Sequence, residues 1–251
     1  MSGHSHWAGI KHHKGINDAK RAAIFTKISH AITIATKQGG PARSDMRSVS
    51  GRGNPDTNFA LRLAIDQARA VNMPKDNIER AIKRGTGELK EGSQIEECLY
   101  EAYGPGNVAL LIETATDSKN RTVSEVKSIL TKGGGKFVPS GSVSFMFRLA
   151  GLITFDSGTY SRARLESEAL ESGADDFFAE NDAFVVVTAV ESMQAVKRFF
   201  ESRGMLTGDA KLGYLPTQTV SIDTQELEAL ERLLETLNDH PDVQQVWDNL
   251  Q

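Results

Sequence analysis

The sequence predicts an α+β multidomain protein. An N-terminal three-helix domain is followed by two α+β domains with ferredoxin-like-type sheets and helices on one face, the last inserted in the middle one. Three observations predict this. Charge is split by position: residues 1–85 hold 15 of the 29 Lys and Arg but 6 of the 33 Asp and Glu, a net of +9, and residues 86–251 carry −13. The apolar period is helical as far as residue 85 and switches between strand-like and helical from residue 95. Strand segments recur on both sides of a compact strand–helix unit, which calls for two sheets. The expected domains are residues 1–88, a discontinuous unit of 89–138 with 208–251, and an insertion at 139–207.

Residues 1–15 carry Gly3, Gly9 and Gly15, show no helical period, and read as an arm. A first helix should begin near Asn17 or Asp18, both good N-caps. Ile24, Ile28, Ala31 and Ala35 form one buried stripe, and Gly39-Gly40-Pro41 ends the helix. Residues 41–57 are rich in Ser, Gly, Arg and Pro and read as a loop. A second helix, 58–71, turns Leu61, Ile65 and Ala68 inward. Pro74 pre-sets the first turn of a third helix, with Ile78 and Ile82 inward and Gly85 at the C′ position.

Downstream, 99–103 and 108–114 read as a hairpin around Gly104-Pro105-Gly106-Asn107, and 121–132 as a helix ended by three glycines. Segments 142–147 and 151–155 form an expected hairpin, 164–172 a helix, 176–180 and 184–189 a second hairpin, and 193–202 a helix. A strand at 214–222, a helix at 224–237 capped by Asp223 or Thr224, and a strand at 243–247 should complete the sheet begun at residue 95.

Composition narrows the function. Hydrophobic content of 39% with 25% charged residues fits a soluble globular chain, and no apolar run is long enough for a membrane helix. The opening MSGHSHWAGIKHHKG lacks the apolar core of a secretory signal, so a cytoplasmic location is expected. The single cysteine, Cys98, excludes an internal disulfide and reads as an inert thiol. Gly133-Gly134-Gly135-Lys136 lacks the spacing of a phosphate loop. His4, His6, His12 and His13 lack further ligands at metal spacing, so no metal or other cofactor is expected. No carboxylate pair or nucleophile–base set stands out, so no catalytic residues are expected.

A separately folding basic segment points to phosphates. The candidate nucleic-acid contacts are His6, Trp7, Lys11, His12, His13 and Lys14 of the arm, Lys20, Arg21 and Lys27 of the first helix, and Arg80, Lys83 and Arg84 of the third. Cations beside an aromatic can neutralise phosphates and stack on a base. The last three also suit the negative end of their helix dipole.

Several strings resemble the YebC-like family: Gly3-His4-Ser5-His6-Trp7, Asp18-Ala19-Lys20-Arg21, Asn72-Met73-Pro74-Lys75-Asp76-Asn77-Ile78 and Glu79-Arg80-Ala81-Ile82-Lys83-Arg84-Gly85. Tyr100-Glu101, Asn120-Arg121-Thr122 and Gly141-Ser142-Val143 match as well. His6 replaces a common lysine, Phe59-Ala60 a usual Pro-Arg, and the loop at 42–53 is long. The resemblance implies three domains and a cytosolic, non-enzymatic regulator of gene expression. It implies either a DNA-binding transcriptional regulator or a translation factor acting on RNA at the ribosome, with no small-molecule substrate.

Overall fold

The computed structural model describes residues 18–39, 53–89, 94–156, 158–180, 183–208 and 210–251. The arm and most of the 41–57 loop lie outside them. Helices α1 (Asp18–Gln38), α2 (Phe59–Ala70) and α3 (Lys75–Thr86) build the N-terminal unit. Asn58 caps α2: its carbonyl accepts the Leu61 N–H at 3.0 Å and its amide donates to the Ala35 carbonyl at 2.8 Å, tying α2 to α1. Ile28, Ile32, Leu61, Ile65, Ala68, Ile78 and Ala81 form the core.

Gly85 is not the helix cap; that role falls to Gly87 at φ 81°, in the left-handed region. Gly85 stays inside α3 because α1 crosses there. A Cβ on it would lie 2.5 Å from the Thr36 Cβ and 2.6 Å from the Thr33 carbonyl oxygen. The α1 stripe is widened by Ile32 and Phe25, as the sequence implies, and beyond that by two threonines: Ala31 is half-buried, while Ile32, Thr33 and Thr36 are buried. α1 contacts α3, α2 and, in the first sheet of the remaining chain, its second and last strands in sequence order.

The rest of the chain runs β1 (Glu96–Tyr103), β2 (Ala109–Thr116), α4 (Lys119–Lys132), β3 (Lys136–Val138), β4 (Phe147–Asp156), α5 (Arg162–Glu171), β5 (Asp176–Glu180), β6 (Ala183–Thr188), α6 (Met193–Ser202), β7 (Ala210–Pro216), α7 (Thr224–Asp239) and β8 (Val243–Asp248). The first sheet has the order β3-β1-β2-β8 and the second β5-β6-β4-β7, with antiparallel neighbours throughout. The second unit, βαββαβ, is inserted between β3 and α7.

Two expected strands differ. The hairpin at 142–147 and 151–155 is one ten-residue strand, β4, entered through a 3-10 turn at Ser144–Met146. Gly151 reads as a break in sequence but sits mid-strand. A Cβ there would meet Thr188 Oγ1 at 2.4 Å and the Met193 side chain at 2.8 Å, so its bareness lets α6 begin close to the sheet. The strand expected at 214–222 lies at Ala210–Pro216 and pairs with β4, while Val220, further along the same segment, forms a single parallel bridge to Leu250 beyond β8. The long β4 offers an edge from Phe147 to Ile153, and the inserted sheet therefore extends past residue 207 to Pro216.

Each sheet has helices on one face. Leu110 and Ile112 meet Val126, Leu130, Leu230 and Leu234, while Ile153, Phe155 and Phe184 meet Leu165, Val196 and Phe200. The other faces meet each other: Ala109, Leu111 and Trp247 bury against Ala150, Leu152, Val185, Val187 and Leu215. Strand β2 is therefore apolar on both sides, which explains its unbroken Ala-Leu-Leu-Ile run.

Candidate nucleic-acid interface

The twelve expected contacts do not fare alike. His6, Trp7, Lys11, His12, His13 and Lys14 lie outside the described residues, and Lys20 is placed only as a position on the first turn of α1. Arg21, Arg80 and Lys83 are exposed, with no carboxylate partner among the described residues, and Arg84 is half-buried. Arg80 and Lys83 are three apart on α3 and so share its outer face. The cations of α2 are engaged locally. Arg62 donates to the carbonyls of Pro55 and Asp56 at 3.0 and 2.9 Å, and Arg69 pairs with Asp66 at 3.2 Å.

Lys27 does not stand free for phosphate. It donates to the Asn238 carbonyl at the end of α7. Burial lowers its pKa to about 8, with Asp239 opposing. It is a strut between the helical unit and the first sheet. Helix period showed that Lys27 lies off the α1 stripe, but could not show that a second surface covers it.

His30 lies beside this strut, 6% exposed, with Nδ1 unpartnered. Burial pulls its pKa below the usual imidazole value, against Asp242 and the Ala115 backbone, which favour the charged form. Gln38 closes the seam by donating to Glu97 at 2.6 Å.

Behind the seam is a polar network that sequence reasoning missed. Asp242, 2% exposed, accepts from Thr122 at 2.7 Å, Arg121 at 2.8 Å and Thr116 at 3.1 Å. Burial works to raise the Asp242 pKa, but the Arg121 and Thr122 hydrogen bonds hold it below the usual carboxylate value. Arg121 also reaches Asp117 at 3.2 Å, and His240 Nε2 meets Glu125 Oε2 at 2.9 Å. Ligand-type atoms of Glu125, His240 and Asp242 lie within 4.8 Å of one another. Asp242 already has a cation in Arg121, so the cluster reads as a brace between α4 and the turn before β8. The Asn120-Arg121-Thr122 string was the only signal; its partner 120 residues downstream carried none.

Fold and site together define a three-part α+β protein, its basic helical unit strutted onto a pair of back-to-back sheets. Residues 5–88 match the TACO1/YebC protein N-terminal domain and residues 95–250 the TACO1/YebC second and third domain, so the chain belongs to the TACO1/YebC family. A relative from Desulfatibacillum aliphaticivorans is 45% identical over 98% of this chain and 95% of its own. One from Elusimicrobium minutum is 42% identical over 99% and 95%. Both are named probable transcriptional regulatory proteins. A crystal structure of a conserved hypothetical protein from Aquifex aeolicus superposes with a TM-score of 0.84 at 40% identity, covering 98% of this chain and 97% of that one. Among the described residues, no helix is long and apolar enough to cross a membrane.

Proposed function

We propose that this protein is a non-enzymatic, cytoplasmic regulator of gene expression whose basic N-terminal domain contacts nucleic-acid phosphates. The observation that carries this reading is the pair Arg80 and Lys83, exposed and unneutralised on α3 within a segment of net +9. Unpaired cations on a rigid helix release counterions when they meet phosphate, which supplies affinity without sequence choice. The names carried by the relatives favour DNA as the partner.

A second reading, an RNA-binding translation factor at the ribosome, is favoured by the polarity of α3. Recognition helices present their N-terminal residues to base edges. The first turn of α3 carries Asp76, and Lys75 is drawn to Glu79 at 3.6 Å, so its cations gather at the other end. That arrangement suits backbone and shape recognition over base readout.

The test is a salt titration of binding to duplex DNA and to structured RNA, with Arg80→Ala/Lys83→Ala beside the parent. Two lost phosphate contacts should reduce the duplex slope by about 1.8. An unchanged slope would remove α3 from the interface. Tighter parent binding to RNA at equal salt, with RNase-sensitive migration alongside ribosomes, would decide for the second reading.

A further inference from the structure

The acidic two-thirds of the chain contains a basic island. Residues 119–136 hold Lys119, Arg121, Lys127, Lys132 and Lys136 against one acid, Glu125. Two of these cations are committed: Lys119 pairs with Glu96 at 2.6 Å, and Arg121 is held by Asp242. Lys127, Lys132 and Lys136 are exposed and have no carboxylate partner among the described residues. Lys127 and Lys136 line a cleft of about 530 Å3 with Thr131, Gly135, Phe137 and Pro139. Lys127 Nζ stands 4.7 Å from the centre of the Phe137 ring, which is tilted against Tyr100 at 5.8 Å. The cleft therefore combines an aromatic floor with two cations, Lys127 lying over the Phe137 face and Lys136 beside it.

We propose that this cleft is a second nucleic-acid contact, taking a phosphodiester and its neighbouring base from a single strand. Lys127 is exposed and swings off the Phe137 ring to neutralise the phosphate with Lys136, and the base takes its place against Phe137 and Pro139, where apolar and aromatic surface accepts any base. The helix dipole does not forbid it. The cleft is at the C-terminal turn of α4, worth about half a negative charge, but its two lysines outweigh that. Three of the carbonyls there are also taken: the Gly133, Gly134 and Gly135 N–H groups donate to Ile129, Thr131 and Leu130.

Placement gives the site its use. The helical unit docks at the end of the sheet where α4 begins, through His30 beside Asp242 and Ala115. The cleft opens where α4 ends, and 14 residues of helix span about 21 Å. One strand touching both would gain by effective concentration, and each contact alone would be weak. The inference rests on the nucleic-acid reading above and adds a second surface to it.

The experiment uses the full chain, fluorescence anisotropy, and two probes of about 20 nucleotides, labelled oligouridylate and oligodeoxythymidylate. Lys127→Ala/Lys136→Ala should bind about tenfold more weakly than the parent in roughly 0.1 M salt, with the salt slope smaller by about 1.4. Its thermal midpoint should match that of the parent, since both side chains are exposed. Photocrosslinking of a 4-thiouridine probe to the parent should label residues 127–139. Loss of affinity for both strands supports a phosphate site, and a larger loss for oligouridylate assigns RNA as its source. A double variant that binds like the parent, or crosslinks that spare 127–139, overturns the cleft alone. A parent that binds neither probe nor duplex DNA overturns the nucleic-acid reading, and the cleft falls with it.

Discussion

The Glu101 carboxylate accepts the Val143 N–H at 2.6 Å, tying β1 to the segment that leads into the inserted unit. The same carboxylate accepts from Gly141 at 2.7 Å and Ser144 at 3.1 Å, although it is only 3% exposed. The two motif strings that hold these residues, 40 positions apart, are therefore one structural device. Glu101 fixes how the inserted sheet leaves the first one, and so supports the back-to-back packing of both.

Replacing Glu101 by Gln should be costly for its size. The amide NH2 would face backbone N–H groups, leaving a buried donor unpaired, at about 1–3 kcal/mol. Burial works to raise the Glu101 pKa, but the Val143, Gly141 and Ser144 N–H groups prevail and lower it. A depressed carboxylate pKa contributes stability above the unfolded value, near 4.3, that is lost as pH falls through the folded value. Urea midpoints of parent and Glu101→Gln should thus differ most at neutral pH and converge below about pH 4. A gap that stays constant with pH would show that the carboxylate charge is not what holds the segment.

The seam between α1 and the first sheet should respond to acid through His30. Its folded pKa is lowered chiefly by burial. Below about 6.5 the unfolded chain takes up a proton that the folded chain refuses, so stability falls as pH drops from there toward the folded pKa. Protection factors of the α1 amides, with the intrinsic pH dependence of exchange divided out, should fall over that window in the parent and lose this component in His30→Gln. Equal pH dependence in both proteins would place the sensitivity elsewhere.

Two glycines two residues apart should behave differently. Ala is worth about 1 kcal/mol over Gly inside a helix, so Gly85→Ala would stabilise α3 if only propensity mattered. The 2.5 Å approach to Thr36 reverses the sign, with an expected loss of about 1–3 kcal/mol as α1 and α3 are forced apart. Gly87→Ala meets nothing within 4 Å and pays only for its φ of 81°, about 1 kcal/mol. Thermal unfolding followed by helical circular dichroism ranks the two. A stabilised Gly85→Ala would contradict the packing of α1 on α3.

Local signals were legible in the sequence, and long-range pairing only in part: β8 completes the first sheet beside β2 as expected, while β7 does not join it. Asp223 caps α7 with a full capping box to Glu226, and β5 and α6 fall where their composition placed them. Each of those depends on neighbours within a few residues. Strand β7 went to the wrong sheet because its alternating pattern fits either partner, and β4 decides the matter by offering a long edge. Lys27 shows the same limit at the candidate site. One helix period sorts residues into stripe and remainder, but Asn238 lies 211 positions away and turns a surface cation into a strut. Arg80 and Lys83 are exposed on the outer side of α3, where helix period alone suffices to put them.

The contact between the sheets should prove intolerant at Gly213. A Cβ there would lie 2.4 Å from both Trp247 Cη2 and Leu152 Cδ1. Both neighbours are essentially sealed, and Trp247 is further fixed by donating to Glu113 at 3.0 Å. Gly213→Ala is expected to cost about 1–3 kcal/mol from overpacking and to shift Trp247 emission to the red, read in a Trp7→Phe background. Trp247→Phe removes the clashing atom and also strands the Glu113 carboxylate, so alone it should destabilise. Combined, the two changes should cost less than their sum, because the smaller ring gives the new methyl its space. Strict additivity would mean that the two sheets slide apart to admit the methyl whichever ring stands at 247.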